Sequence, residues 1–233
     1  MTLKIAIAQI NATVGDLAGN AARILDFAQR AQAEGAGLVL TPELALCGYP
    51  PEDLLFRADF YEACERELDA LAPQLTGISL LVGHPVARDG NCYNAATLVS
   101  NGNRVATYYK QRLPNYEVFD EERYFESGEV PCVVTINGVR CGINICADIW
   151  ERGAVERARG KTVAKLKHQG QPGCGQQGGG EKPQNAHEQR HLSEVEAPYR
   201  HVGEQGGEEY DDQKPFHIVF SFLVYRGCLR YSF

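Results

Sequence analysis

Three short apolar runs, at residues 3–10, 38–41 and 78–82, are separated by two longer segments whose apolar residues recur at helical spacing. Near-continuous apolar strands belong inside a sheet covered on both faces, and the helices between them supply the cover. That alternation restricts the first 150 residues to an α/β architecture. Asn20 is read as the cap of the first helix, whose positions Ile24, Leu25, Ala28 and Ala31 share a face and which ends at Gly35 and Gly37. The second helix carries the stripe Phe60, Cys64, Leu68, Leu71 and Leu75. Beyond residue 90, strand follows strand. Residues 93–99 and 104–109 flank Asn101-Gly102-Asn103, and 133–136 and 139–145 flank Asn137-Gly138, a strong two-residue hairpin signal.

Near residue 156 this regularity stops. Residues 161–212 are rich in Gly, Gln, Glu, His and Lys, show neither a period of 2 nor one of 3.6, and include a low-complexity Gly-Gln tract at 170–180. Such a composition buries too little apolar surface to offset an ordering cost of roughly 1–2 kcal/mol per residue. Only residues 216–224 read as a strand, one with no partner nearby. His187 and His191 stand at i, i+4 and could bind a metal, but in this composition no metal site is expected.

A net charge of −7 makes no case for nucleic acid or an anionic membrane as partner. No run approaches the roughly 18 apolar residues of a membrane helix. The N-terminus enters a strand pattern without a charged leader or cleavage site, so a cytoplasmic protein is expected. The cysteines, Cys47, Cys64, Cys92, Cys132, Cys141, Cys146, Cys174 and Cys228, form no Cys-x-x-Cys pair. Zinc and redox motifs are therefore not indicated, and most of these thiols should be small buried apolar groups.

Cys146 stands apart from that expectation. It ends the apolar run 139–145, where the chain turns, which is where an open α/β sheet presents a nucleophile. Glu43 follows the run 38–41 and Pro42 in the same way, and Lys110 follows 104–109. A thiol with an ordinary pKa of about 8.5 must be activated. His84, the one histidine among the first 150 residues, precedes Pro85 just after a strand, where a core or turn role suits it better. A carboxylate and an ammonium remain. Glu43 can accept and return a proton, and Lys110 can lower a thiol pKa or stabilise an oxyanion. Against this stand a Lys110 that is merely on the surface and a Glu43 that merely caps a turn before Pro50-Pro51.

Longer motifs bring a family into view. Thr41-Pro-Glu-Leu-Ala-Leu-Cys-Gly-Tyr-Pro-Pro-Glu-Asp-Leu-Leu55 resembles the acid segment of the nitrilase (carbon–nitrogen hydrolase) superfamily. With Tyr93-Asn-Ala-Ala96, the lysine segment from Tyr109 to Phe125 and Gly142-Ile-Asn-Ile-Cys-Ala-Asp-Ile-Trp150, it is most similar to the glutaminase domains of glutamine-dependent NAD synthetases. The resemblance implies an α-β-β-α sandwich and a catalytic triad of Glu43 as general base, Lys110 as stabiliser of the tetrahedral intermediate and Cys146 as nucleophile. Tyr116 would help hold glutamine. The implied reaction is hydrolysis of the glutamine side-chain amide through a glutamyl thioester, with no cofactor. The ammonia would pass to a synthetase domain or chain, and ATP and magnesium would serve only there. Such domains commonly assemble into oligomers. An amidase of another branch and a catalytically inactive remnant or binding module remain as alternatives.

This sequence departs from the family pattern in three places. Glu117 stands where the subfamily has Gly, and Ala147 where an acidic residue usually follows the nucleophile. After Trp150 neither an Asn-Ala-Ser-Pro segment nor the Ser-Gly-Gly-type loop of a synthetase domain follows. The expected organisation is therefore the N-terminal part of a glutaminase domain at 1–157, with the second half of its fold incomplete. Residues 158–233 would be an atypical low-complexity tail, out of register with the ancestral reading frame.

Overall fold

The computed structural model describes residues 2–116, 119–150, 157 and 216–221, the last six as backbone only. They form two sheets and two helices. The first sheet has the order β1-β2-β3-β4-β5, from Ile5–Ile7, Leu38–Leu40, Ser79–Arg88, Asn91–Ser100 and Asn103–Tyr109. Its first three strands are parallel and the rest antiparallel. The parallel pairs are joined through α1 (Leu17–Ala33) and α2 (Ala58–Leu71), as crossovers require. The second sheet is β6-β7-β8, from Cys132–Ile136, Val139–Ile145 and Phe216–Ser221.

Strand periodicity divides the core in two. Val39, Leu80, Val82 and Val99 turn outward onto Ile24, Ala28, Phe60, Cys64 and Leu68 of the helices. Their neighbours Leu38, Leu40, Leu81 and Leu98 turn inward onto Val134, Ile136, Val139, Cys141, Ile143 and Ile145 of the second sheet. Each such side chain contributes about 1.5–3 kcal/mol on burial. The result is a helix-sheet-sheet stack, with helices on one outer face among the described residues. Asn137 and Gly138, at φ 49° and 79°, make the tight β6–β7 turn that their sequence foretold.

Four local expectations need correction. The cap of α1 is Asp16, whose carboxylate accepts from Gly19 N at 3.1 Å. Asn20 lies inside the helix, wholly buried, and ties it to two loops by accepting from Thr13 N and donating to the carbonyls of Thr13 and Leu46. The run 3–10 yields only the three-residue edge strand β1, whose Ile5 and Ile7 are 39% and 51% exposed. They register with Leu38 and Leu40 and so share the inward face, but the closest packing of β6, β7 and β8 is on β5, β4 and β3, away from this edge. The third run extends through His84 and Pro85 to Arg88, because β4 pairs along its whole length. Finally, β8 does have a partner, pairing in parallel with β7 from Arg140 to Ile145. The Gly-Gln tract, His187 and His191 lie outside the described residues.

Candidate active site

Glu43, Lys110 and Cys146, placed 36 or more residues apart in the chain, meet at one end of the two sheets. Glu43 leaves the sheet just after β2. Its loop is clamped to β3: Thr41 Oγ1 donates to Leu81 O at 3.2 Å and accepts from Gly83 N at 3.1 Å, and Leu46 N donates to Gly83 O at 3.0 Å. The loop backbone lies so close that a β-carbon on Gly83 would stand 2.6 Å from Leu44 N and 2.7 Å from Pro42 O. Lys110 follows β5, its N–H donating to Asn94 O at 2.8 Å and its carbonyl accepting from Gly128 N at 2.7 Å. Cys146 follows β7 and opens a 3-10 turn, Cys146–Ile149. Its φ of 43° is one that non-glycine residues adopt only when the surroundings hold it, at a cost of order 1–3 kcal/mol.

The Lys110 ammonium is completely buried and all three of its protons are used. Nζ donates to Glu43 Oε1 at 2.6 Å and to Glu121 Oε1 and Oε2 at 2.8 and 2.7 Å. A surface lysine is excluded, and so is a turn-capping role for Glu43. The Glu43 Oε1 atom also accepts from Asn94 Nδ2 at 2.7 Å, while Oε2 has no hydrogen-bond partner among the described residues. Burial alone lowers the Lys110 pKa, but Glu43 and Glu121 more than offset it and hold the amine firmly protonated. Burial, then the Glu43 charge, pushes the Cys146 thiol well above its ordinary value; Lys110 pulls it down and Glu121 raises it again. The resting sulfur is therefore a neutral thiol beside a carboxylate with an open oxygen.

Two residues of this cluster escaped the sequence analysis. Glu121 sits in a 3-10 turn, Glu121–Arg123, inside a run of three acids where no periodicity marks one as buried. Burial and the neighbouring Glu43 raise its carboxyl to about 7. The two carboxylates share the one Lys110 ammonium. Asn94, in the quoted Tyr93-Asn-Ala-Ala96 motif, orients Glu43 and is itself buried. His84 is a core residue: its Nε2 bonds Thr97 Oγ1 at 2.7 Å, and burial lowers its pKa to about 4.

Tyr116 stands apart from the buried cluster, half exposed, on a row of aromatic rings. It meets Phe119 edge-on at 5.8 Å between centroids, and Phe119 meets Trp150 at 6.1 Å. Trp150 closes the turn that begins at Cys146, which ties the row to the nucleophile's segment of chain. Ala147 is buried within that turn. Glu117 lies outside the described residues.

This arrangement has relatives. A glutamine-dependent NAD(+) synthetase from Xanthomonas campestris pv. campestris is 46% identical over 153 residues, which are 64% of this chain and 28% of that protein. The Thermotoga maritima enzyme of the same name is 41% identical over 150 residues, 64% of this chain and 26% of its own length. The chain thus spans less than a third of the curated relatives it matches. Among solved structures, the glutamine-dependent NAD+ synthetase of Acinetobacter baumannii superposes with a TM-score of 0.63 at 34% identity, covering 66% of this chain and 29% of that one. A variant amidase from Nesterenkonia sp. AN1, with acrylamide added to its active-site cysteine, superposes with a TM-score of 0.60 at 29% identity, covering 68% and 64%. The carbon–nitrogen hydrolase family matches residues 4–156, and the chain belongs to that family.

Proposed function

We propose that this chain carries the ammonia-releasing half-reaction of a glutamine-dependent NAD synthetase, with Cys146 as nucleophile, Glu43 as general base and Lys110 as electrostatic stabiliser. The observation that carries the reading is the buried Glu43–Lys110–Glu121 array, which leaves Glu43 Oε2 free beside a protonated thiol. As Sγ forms its bond to the amide carbon, Glu43 takes the thiol proton and the carbonyl oxygen becomes an oxyanion. Protonated Glu43 is a poorer acceptor for Lys110, so one ammonium proton is released to face that oxyanion. Glu43 then gives its proton to the departing nitrogen, ammonia leaves, and a thioester remains. A water molecule loses its proton to Glu43 and attacks the thioester carbon. Collapse frees the carboxylic acid and returns the proton to sulfur. Tyr116 and the aromatic row beside the turn would contact the substrate.

Every step draws on side chains of this chain, and ATP would serve only an ammonia-accepting synthetase part or partner. The substrate assignment follows the synthetase relatives at 35–46% identity. The amidase relatives mark the competing substrate class, so hydrolysis of glutamine is to be compared with that of simple aliphatic amides. Ammonia release from glutamine, lost in Cys146→Ser, supports the proposal; faster release from aliphatic amides would assign the chain to the amidase branch. A second reading rests on the uncovered Ile5 and Ile7 of β1. It makes the chain a non-catalytic part of such a domain, and a folded chain inert to both substrate classes would support it.

A further inference from the structure

Asp148 has no part in the reaction above, yet its carboxylate is the most fully engaged in the described structure. It is completely buried and accepts four hydrogen bonds, two on each oxygen. Oδ1 accepts from Gln111 N at 3.0 Å and Arg112 N at 2.8 Å; Oδ2 accepts from the Tyr108 hydroxyl and from Ile145 N, each at 2.8 Å. The partners fall into two groups. Tyr108, Gln111 and Arg112 bracket Lys110, which follows β5 of the first sheet. Ile145 immediately precedes Cys146, which follows the second sheet.

We infer that Asp148 is the positioning residue of this site, a strut that fixes the Cys146 turn to the Lys110 segment and so sets the thiol against Glu43 and Lys110. The nucleophile and the ammonium arrive on different sheets, and nothing in the sandwich packing alone fixes strand ends to the tolerance that proton transfer needs. Cys146 also holds a left-handed φ of 43°, a conformation that persists only where neighbouring bonds over-determine it. The bond from Ile145 N to Asp148 Oδ2 closes that turn from within, and the three others tie it across the sheet gap. A neutral amide could not replace the carboxylate. In either rotamer an Asn at 148 would aim at least one N–H donor at a backbone N–H: two at Gln111 and Arg112, or one at Ile145 while the Tyr108 hydroxyl turned to accept the other.

The role rests on the catalytic assignment of Glu43, Lys110 and Cys146, but its test needs no substrate. The rate of Cys146 alkylation by iodoacetamide, read by peptide mass spectrometry, is to be measured between pH 5.5 and 9 for the full chain and for Asp148→Asn. The groups facing the thiol are Glu43, Lys110 and Glu121. Because the thiol stays neutral and gives its proton to the array as it reacts, the parent rate should rise as the Glu121 carboxyl ionises and level off above about pH 7. In the variant the thiol leaves the array, and its profile should become that of a free cysteine, still climbing near 8.5. Thiols at Cys47 and Cys64 stay protected if the variant is folded, since both are fully buried. A variant profile superposing on the parent's, whatever its melting temperature, overturns the inference. Should Asp148→Asn fail to fold, Tyr108→Phe decides: it deletes one of the four bonds and should slow alkylation at pH 7 by about threefold, whereas an unchanged rate overturns the role. Glutamine turnover is read in parallel. Its absence in the parent chain would count against the substrate assignment alone, while the alkylation profiles still decide the part played by Asp148.

Discussion

Gly83→Ala tests how finely Glu43 is placed. Gly83 has no unusual φ, so the substitution acts through space alone. The added β-carbon would lie 2.6 Å from Leu44 N and 2.7 Å from Pro42 O, where ordinary contact begins at 3.4 Å. Either β3 or the loop at 42–44 must therefore retreat by roughly 0.7–0.8 Å, a figure set by those distances. The strand is held by β4 through the Gly83–Ala96 pair, so the loop gives way and takes Glu43 with it. A displacement approaching 1 Å of a catalytic group costs on the order of 10²-fold in rate. Overpacking of this kind costs about 1–3 kcal/mol of stability, or roughly 2–12 °C in Tm for a chain of this length. The assay is the rate at which Cys146 is labelled by a glutamine analogue with a diazoketone in place of its amide, followed by intact mass at a temperature where both proteins are folded. A lowered Tm with an unchanged labelling rate would refute the reasoning, since Glu43 would then tolerate the shift.

Glu121→Gln should remove the acid limb near pH 7 from Cys146 alkylation, because the raised carboxyl beside Lys110 is gone. A limb left in place would remove Glu121 from the array. Two buried groups also pull stability in opposite directions as pH changes. His84, lowered from 6.5 to about 4, adds stability present above pH 6.5 and lost as pH falls toward 4; Glu121, raised from 4.5 to about 7, adds stability present below pH 4.5 and lost as pH rises toward 7. Each is worth about 3 kcal/mol at most, and between pH 4.5 and 6.5 the two oppose one another. Relative to the parent, Glu121→Gln should lose Tm on acidification, and parallel profiles would contradict the assignment. Asp16→Ala removes the cap of α1 and should cost about 1 kcal/mol, or roughly 2–4 °C, in thermal melts. An unchanged Tm in Asp16→Ala would remove Asp16 from that role.

Glu43, Lys110 and Cys146 could be read from the chain because each follows an apolar strand, and strand ends on one side of such a stack converge. A period of 2 sets Leu38 and Leu40 on one face and Val39 on the other, but in a run apolar on both faces nothing local tells that helices cover the one and a second sheet the other. Glu121 and Asp148 were not legible. Their burial follows from long-range partners, Lys110 for one and four donors from two segments for the other, and acids in short turns carry no local mark of it. The α1 cap was misplaced because Asn20 and Asp16 are both good caps, and only the packing against Leu46 shows which one the helix absorbs. The strand at 3–10 was read too long because its apolar content anticipates cover that the described second sheet does not extend to Ile5 and Ile7.

The most direct measurement is stoichiometric labelling of the folded chain by the diazoketone analogue of glutamine, in which the diazo carbon gains a proton and the Cys146 sulfur displaces dinitrogen. One adduct per chain is expected, mapped to the peptide containing Cys146, slowed by excess glutamine and absent in Cys146→Ser. A folded chain that stays unlabelled, or is labelled equally at other cysteines, would contradict it.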